Sequence, residues 1–349
     1  MFDNILTPQL DVKPRAVHET VSRSTASNNI IDISSDKIET ELRSSLQDSI
    51  QAACHRDAAM PDLLLWDKKG LQYFEDVTYT PSYYLTNEEI GILEDQKYQI
   101  AQCIRPGSML IELGSGNLRK IKILLEALDD LGRDVDYFAL DVSLPELQRT
   151  LNIVPPGTFR HIRCSGLLGT YDDGRRWLQR SELESRPKVL ISLGSTVGSM
   201  QRSETAGFLS SFTGPEESNR SFLLGLDGCK DQKRVLAAYN DEHGNNHRFI
   251  KNGLERANEI LGHEAFDLEK WDVVGSWNRE NGSHDQYYYP KTDVSLGGEI
   301  VPAGRRILAI QSHKYDANDA HMLLKEAGLD VVDAWGSRNK YSLLFLKSA

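Results

Sequence analysis

With 349 residues and a formal net charge of −11, the chain can fill one large globular domain or two smaller ones, and it is too acidic to read as a nucleic-acid binder. No apolar run approaches the roughly 18 residues of a membrane span, and the first residues lack the charged-then-apolar pattern of a secretory leader. Cys54, Cys103, Cys164 and Cys229 lack paired spacing, so free thiols are expected in a cytoplasmic monomer that acts on a small molecule, with no nucleic-acid or membrane partner.

Residues 1–28 mix Pro, Ser, Thr and charges without periodicity and read as a flexible N-terminal arm. Structure is expected from Ile30 onward. Ile38, Leu42, Leu46 and Ile50 recur at helical spacing and predict an amphipathic helix ending before Pro61. From Met109 the signals alternate: strand 109–113, helix 117–131, strand 136–141, helix 144–151, strand 159–164, helix 173–180, strand 188–193, helix 203–212 and strand 221–227. That alternation predicts an α/β fold with a parallel sheet covered on both faces. Between about 235 and 300 the periodicity weakens and Tyr, Trp, Asn, His and Gly accumulate, before strand-like runs resume at 306–310 and 341–346. The irregular segment reads as an insertion that, with residues before about 95, caps a crevice at the carboxyl ends of the strands.

The chemistry-bearing motif is Gly114-Ser115-Gly116, between the apolar strand at 109–113 and a helix. Glycines there admit positive φ and let backbone approach a ligand closely. Asp141 ends the next strand, where a carboxylate suits ribose hydroxyls. A dinucleotide fingerprint wants a third glycine where this chain has Arg119, which argues against a pyrophosphate-bearing cofactor and a dehydrogenase. Glu-Leu-Gly-x-Gly followed by a strand-end Asp is similar to the form found in S-adenosylmethionine-dependent methyltransferases, whose cofactor carries a ribose but no pyrophosphate.

Three separated segments, Tyr73–Thr86, Gly114–Lys120 and Leu193–Gly198, together resemble the ergothioneine-type histidine Nα-methyltransferase family from about residue 29 to the end of the chain. Gly166–Gly174 resembles its fungal branch. The resemblance implies a Rossmann-like methyltransferase sheet (96–234 and 306–349) with a second, substrate-binding domain (29–95 and 235–305). For S-adenosyl-L-methionine it points to Gly114, Gly116, Lys120, Asp141, Gly166 and Leu167, although bacterial members carry an acidic residue at the position of Gly166. For the substrate it points to Tyr84, Tyr239 and Ser312, which match the family's pocket. Three pocket positions depart: Trp66 stands for a tyrosine beside the reacting amine, Ser199 for an asparagine at the amino acid's polar end, and Ile310 for a glutamate that binds imidazole. His243 and His247 have the spacing of the iron ligands in the longer fungal enzymes, but the acidic ligand falls at Phe249, so no metal is expected.

A buried glutamate facing imidazole contributes roughly 1.5–3 kcal/mol, so its loss weakens histidine binding by about one to two orders of magnitude. Ile310 offers instead apolar surface, at about 25 cal/mol per Å² buried, to a larger ring, and Trp66, Tyr287 and Tyr288 add aromatic faces. The departures therefore predict single or repeated N-methylation of an aromatic amino acid, L-tryptophan first, close to the stand-alone fungal tryptophan-methylating branch. The alternatives are histidine itself, prenylated tryptophan, a tryptamine-like amine admitted by Ser199, or an idle S-adenosylmethionine-binding scaffold. Tyr84 and Trp66 are the expected catalytic pair, with Tyr84 orienting the amine for in-line displacement and Tyr239 gripping the polar end.

Overall fold

The computed structural model describes residues 29–35, 38–213, 219–337 and 340–349. The arm expected at 1–28 lies outside the described residues. In chain order the elements are β1 (Ile30–Asp32), α1 (Ile38–His55), β2 (Ala58–Ala59), α2 (Lys68–Tyr79), α3 (Tyr84–Cys103), β3 (Met109–Leu113), α4 (Ile121–Asp130), β4 (Val135–Asp141), α5 (Leu144–Ile153), β5 (Ile162–Leu168), α6 (Tyr171–Leu178), β6 (Lys188–Ser192), α7 (Arg202–Thr213) and β7 (Arg220–Asp227). There follow α8 (Gln232–Tyr239), α9 (Asn245–Leu261), β8 (Trp271–Asn278), β9 (Ser283–Pro290), β10 (Val294–Leu296), β11 (Glu299–Val301), β12 (Ile307–His313), α10 (Ala317–Glu326), β13 (Leu329–Gly336) and β14 (Tyr341–Ser348).

The main sheet has eight strands in the order β1-β5-β4-β3-β6-β7-β14-β13. The first six run parallel and the last two add antiparallel, making the sheet mixed. Strands β3, β4 and β6 are buried along their whole length, as expected of strands covered on both faces. Two of the covering helices start where side chains cap them. Ser143 accepts from the Glu146 N–H at the head of α5, and Thr170 with Asp173 forms a capping box on α6. A second sheet, β2-β12-β9-β8, takes β8 and β9 from the region read as an insertion, β12 from just beyond it and one short N-terminal strand.

Helices α2, α3, α8, α9 and α10 and strands β8 and β9 were not read as elements, and four further elements differ from the sequence reading. Helix α4 starts at Ile121 rather than 117, because the Asn117 side chain accepts from the Arg119 N–H and holds a turn in place of the first helical turn. Strand β5 runs on to Leu168, since β1 pairs with Gly166–Leu168 from one side and β4 from the other. β12 joins the second sheet between β2 and β9, not the parallel sheet. The edge strand β13 went unread, because six of its eight residues are exposed and it lacks alternation. Sheet membership therefore crosses the expected boundaries at 95 and 305: β1 belongs to the main sheet, α3 packs on β14 and α4, and β12 belongs to the second. Among the described residues, no helix is long and apolar enough to cross a membrane.

Glu112 sits inside β3, 3% exposed, with its carboxylate accepting from the buried Tyr137 hydroxyl. Burial pushes its carboxyl from 4.5 up to about 8 against the opposing effect of that hydrogen bond. A raised carboxyl makes the folded state hold an extra proton, so this group's contribution is present below pH about 4.5 and lost as pH rises through about 8. Glu112→Gln should remove that slope. Thermal melts at pH 5 and pH 9 should show the variant gaining on the wild type by a few degrees at the higher pH. An equal difference at both would contradict it.

Candidate active site

The turn after β3 has Gly114 at φ 72° and Gly116 at φ 48°, both left-handed, so the glycines do what the motif required. Gly114 is exposed, and a Cβ on Gly116 would meet no atom within 4 Å, which leaves backbone bordering open space at the strand end. Asp141 ends β4 beside it, 8% exposed, accepting from the Ser143 N–H at 3.0 Å. Burial raises its carboxyl to about 6. Helix α2 is tied across this turn: Glu75 accepts from Asn117 Nδ2 at 3.1 Å and pairs with Arg149 at 3.1 Å. Arg119, in the third-glycine position, lays its guanidinium 4.5 Å from the Tyr79 ring centre. The residue that excluded a dinucleotide thus fastens the cap.

Lys120 Nζ lies 2.8 Å from Glu89, a carboxylate with no exposure at all. Glu89 also accepts from the Gly194 N–H at 2.8 Å and from the Tyr341 hydroxyl at 2.8 Å, tying α3 to the ends of β6 and β14. One residue on, Ser195 takes the left-handed conformation (φ 56°) and its Oγ accepts from the Asp227 N–H at 3.1 Å.

Asp227 and Lys314, both fully buried, form an ion pair at 2.9 Å. The Tyr84 hydroxyl donates to the same Asp227 oxygen at 2.6 Å. Lys314 donates further to the Tyr239 oxygen at 3.0 Å and to Ser312 Oγ at 2.9 Å, while those two hydroxyls lie 2.6 Å apart. Burial alone would lower the Lys314 ammonium, but Asp227 and Tyr239 outweigh it and hold it above its usual range. Burial, reinforced by the Asp227 charge, keeps the Tyr84 phenol protonated. Tyr84, Tyr239 and Ser312 are thus brought into one cluster, whose organising residues, Asp227 and Lys314, the sequence reading did not identify. The strand-end position of Asp227 and a lone lysine after an apolar strand were the only signals available.

Beside this cluster runs an aromatic wall. Trp66 packs edge-on to Phe74 at 5.2 Å and against Phe249 at 5.1 Å, Phe74 reaches Tyr83 at 6.1 Å, and Tyr83 meets Tyr239 at 5.7 Å. On its other face Tyr239 stacks on the buried His284 at 4.4 Å. Ile310 is half-buried on β12 and shares the sheet face of Ser312, opposite Gln286. Tyr287 does not join them. It pairs with Leu308 across a bulge, lies on the opposite face, and donates to Asp285 at 3.2 Å. Tyr288 is on the site face but 1% exposed, its hydroxyl held by the Ile250 carbonyl. Ser199 donates to the Thr196 carbonyl at 2.9 Å. Gly166 and Leu167 lie within β5 rather than at its end; a Cβ on Gly166 would come 3.1 Å from Ile30, which explains the small residue there. His247 bonds Asp272 at 2.6 Å.

A family model described as a histidine-specific, S-adenosylmethionine-dependent methyltransferase matches residues 38–348. The chain is 42% identical over 340 residues to ergothioneine biosynthesis protein 1 of Neurospora crassa, covering 97% of this chain but only 38% of that protein. It is 36% identical over 293 residues to N-methyltransferase fsqC of Aspergillus fumigatus, covering 82% of this chain and 78% of the relative. With 4-dimethylallyltryptophan N-methyltransferase easF of Claviceps purpurea it shares 33% over 329 residues, 88% of this chain and 94% of that one. The chain belongs to the histidine-specific, S-adenosylmethionine-dependent methyltransferase family and is an S-adenosyl-L-methionine-dependent N-methyltransferase.

The turn fits that cofactor, since open backbone at Gly116 and a strand-end carboxylate match a ribose with no pyrophosphate. A carboxylate accepts from two hydroxyls best when ionised, so with Asp141 in that role cofactor affinity should fall as pH drops through about 6. Asp141→Asn should weaken binding about tenfold at pH 7.5. Titration calorimetry at pH 5 and pH 7.5 checks both effects; a variant that keeps the wild-type pH dependence would remove Asp141 from the role.

Proposed function

We propose that, within this family, the chain methylates the α-amino group of an amino acid with an aromatic ring, with histidine as the leading substrate. The observation that carries the reading is the gathering of Tyr84, Tyr239 and Ser312 around one buried ion pair, beside an aromatic wall of suitable size for a ring. The family's description and the ergothioneine-type relative support histidine more than the departures at Trp66 and Ile310 support tryptophan. The order of preference drawn from the sequence alone is reversed accordingly.

When bound, the cofactor supplies an electrophilic methyl group on a sulfonium. Methyl transfer to a neutral amine needs alignment and exclusion of water more than a strong base. The Tyr84 hydroxyl, directed to Asp227, fixes the ring of Tyr84 at the head of α3, where the Arg234 guanidinium covers it at 4.0 Å. Tyr239 and Ser312 supply polar contacts for the substrate. The cap formed by α2, fastened through Glu75 and Arg119, keeps water from the crevice.

A second reading, tryptophan or a prenylated tryptophan, is favoured by one observation: Ile310 presents an apolar side chain on the Ser312 face. The easF relative is consistent with it. Steady-state kinetics with histidine, tryptophan, 4-dimethylallyltryptophan and tryptamine should place histidine highest in kcat/KM. A value for tryptophan at or above that for histidine would reverse the assignment. Ile310→Glu should raise histidine kcat/KM by about one to two orders of magnitude through a charge-assisted hydrogen bond.

A further inference from the structure

Which end of a side-chain amide is nitrogen follows from its partners, and a backbone carbonyl settles the matter because it can only accept. Asn246, in the first turn of α9, donates from Nδ2 to the Tyr239 carbonyl at 2.7 Å. The same nitrogen has a second hydrogen, which goes to Gln286 Oε1 at 2.6 Å. The end of Gln286 nearest Asn246 is therefore its oxygen, and its NH2 group is the other end. Among the described residues Gln286 Nε2 has no hydrogen-bond partner. Gln286 is 4% exposed, and unlike the ring nitrogens of His284 and the Oε1 of Gln311, which are enclosed as well as unpartnered, its nitrogen reaches accessible space.

On this face of the second sheet Gln286 stands directly across from Ile310, which is half-buried and carries no polar side-chain atom, with His284 and Tyr288 on either side along β9. Helix α9, which holds Gln286 through Asn246, also carries Phe249 of the aromatic wall. His284 cannot offer a contact of its own: its ring stacks on Tyr239 at 4.4 Å, and a Cβ on Gly275 would come within 2.7 Å of the ring edge. We infer that Gln286 reads the substrate ring: its outward Nε2 donor selects an aromatic amino acid whose ring presents a nitrogen lone pair, and Asn246 is the positioning residue that keeps the donor outward. This rests on the amino-acid N-methyltransferase reading above and deepens it. Neutral imidazole offers such a lone pair. An indole or pyrrole ring offers only N–H, which meets the amide donor against donor.

The test compares kcat/KM within two pairs of five-membered-ring amino acids matched in the position of the nitrogen: the thiazol-4-yl and pyrrol-2-yl alanines, and the thiazol-5-yl and pyrrol-3-yl alanines. The thiazole nitrogen only accepts and the pyrrole nitrogen only donates. In the pair whose nitrogen meets Gln286, the wild type should prefer the thiazole by at least about tenfold. Gln286→Glu keeps an oxygen for Asn246 and exchanges the outward donor for an acceptor, so the ratio should fall below one. Gln286→Met removes the donor without adding a charge, and the ratio should collapse toward unity. Calorimetric titration with S-adenosyl-L-methionine establishes that each variant is folded. Wild-type ratios near or below one in both pairs, or an unchanged ratio in either folded variant, overturn the inference and leave the N-methyltransferase reading standing. Cofactor binding without turnover of any amino acid by the wild type refutes that reading, and the inference falls with it.

Discussion

The ion pair between Lys314 and Asp227 joins the main sheet to the second sheet at the cluster of Tyr84, Tyr239 and Ser312. Asp227 closes a parallel strand of the main sheet, and Lys314 follows directly on β12 of the second sheet. Neither side chain has any exposure. Removing one member of such a pair costs about 3–5 kcal/mol, because the other is left charged in an apolar interior. The pair therefore constrains the relative placement of the sheets, and Tyr84, Tyr239 and Ser312 inherit their positions from it. Its three bonds from one ammonium fix direction as well as distance, which a hydrophobic contact at the same place would not do.

A second lysine–carboxylate pair repeats the arrangement on the cofactor side. Glu89 on α3 receives Lys120, the Gly194 amide and the Tyr341 hydroxyl, so one carboxylate ties together the segment after the glycine turn, the end of β6 and the antiparallel β14. The two pairs meet on the loop after β6: Gly194 is held by Glu89 and Ser195 by the backbone of Asp227. Left-handed backbone at both residues is the conformational cost of placing them there, and paired buried charges on either side over-determine it.

Much of this was legible in the sequence, for physical reasons that vary along the chain. Strands β3, β4, β6 and β7 are apolar runs between helices with clear periodicity, and their limits fell within one or two residues of the observed ones. Gly114, Gly116 and Asp141 were legible because their backbone and position carry the chemistry. Sheet membership of β12 was not, since an apolar run specifies a strand but not its partner. The face of Tyr287 was hidden for a related reason. The bulge between Leu308 and Ile310 shifts the pairing register, and no local pattern announces which of two adjacent tyrosines will turn inward. Glu89, Asp227 and Lys314 stayed invisible because a lone charged residue in a sequence reads as solvated surface. Only the fold reveals that each has its counter-charge more than 30 residues away.

The matched pairs also bear on the chemistry. A crevice built for methyl transfer between a sulfonium and a neutral amine must tolerate a cation without trapping the amine as ammonium. Unpaired carboxylates would hold the amine protonated, and unpaired lysines would repel the sulfonium. Here Lys120 is matched by Glu89 and Lys314 by Asp227, so each of these two buried lysines has its own counter-charge while the hydrogen bonds still order the neighbouring hydroxyls. Glu112 reaches neutrality by another route, since burial holds its carboxyl near 8. The apolar wall of Trp66, Phe74 and Phe249 adds no charge, and aromatic faces attract a cation without fixing a proton. Such paired charges still order the hydroxyls around them, and in this chain the ammonium of Lys314 donates to two of these, Tyr239 and Ser312.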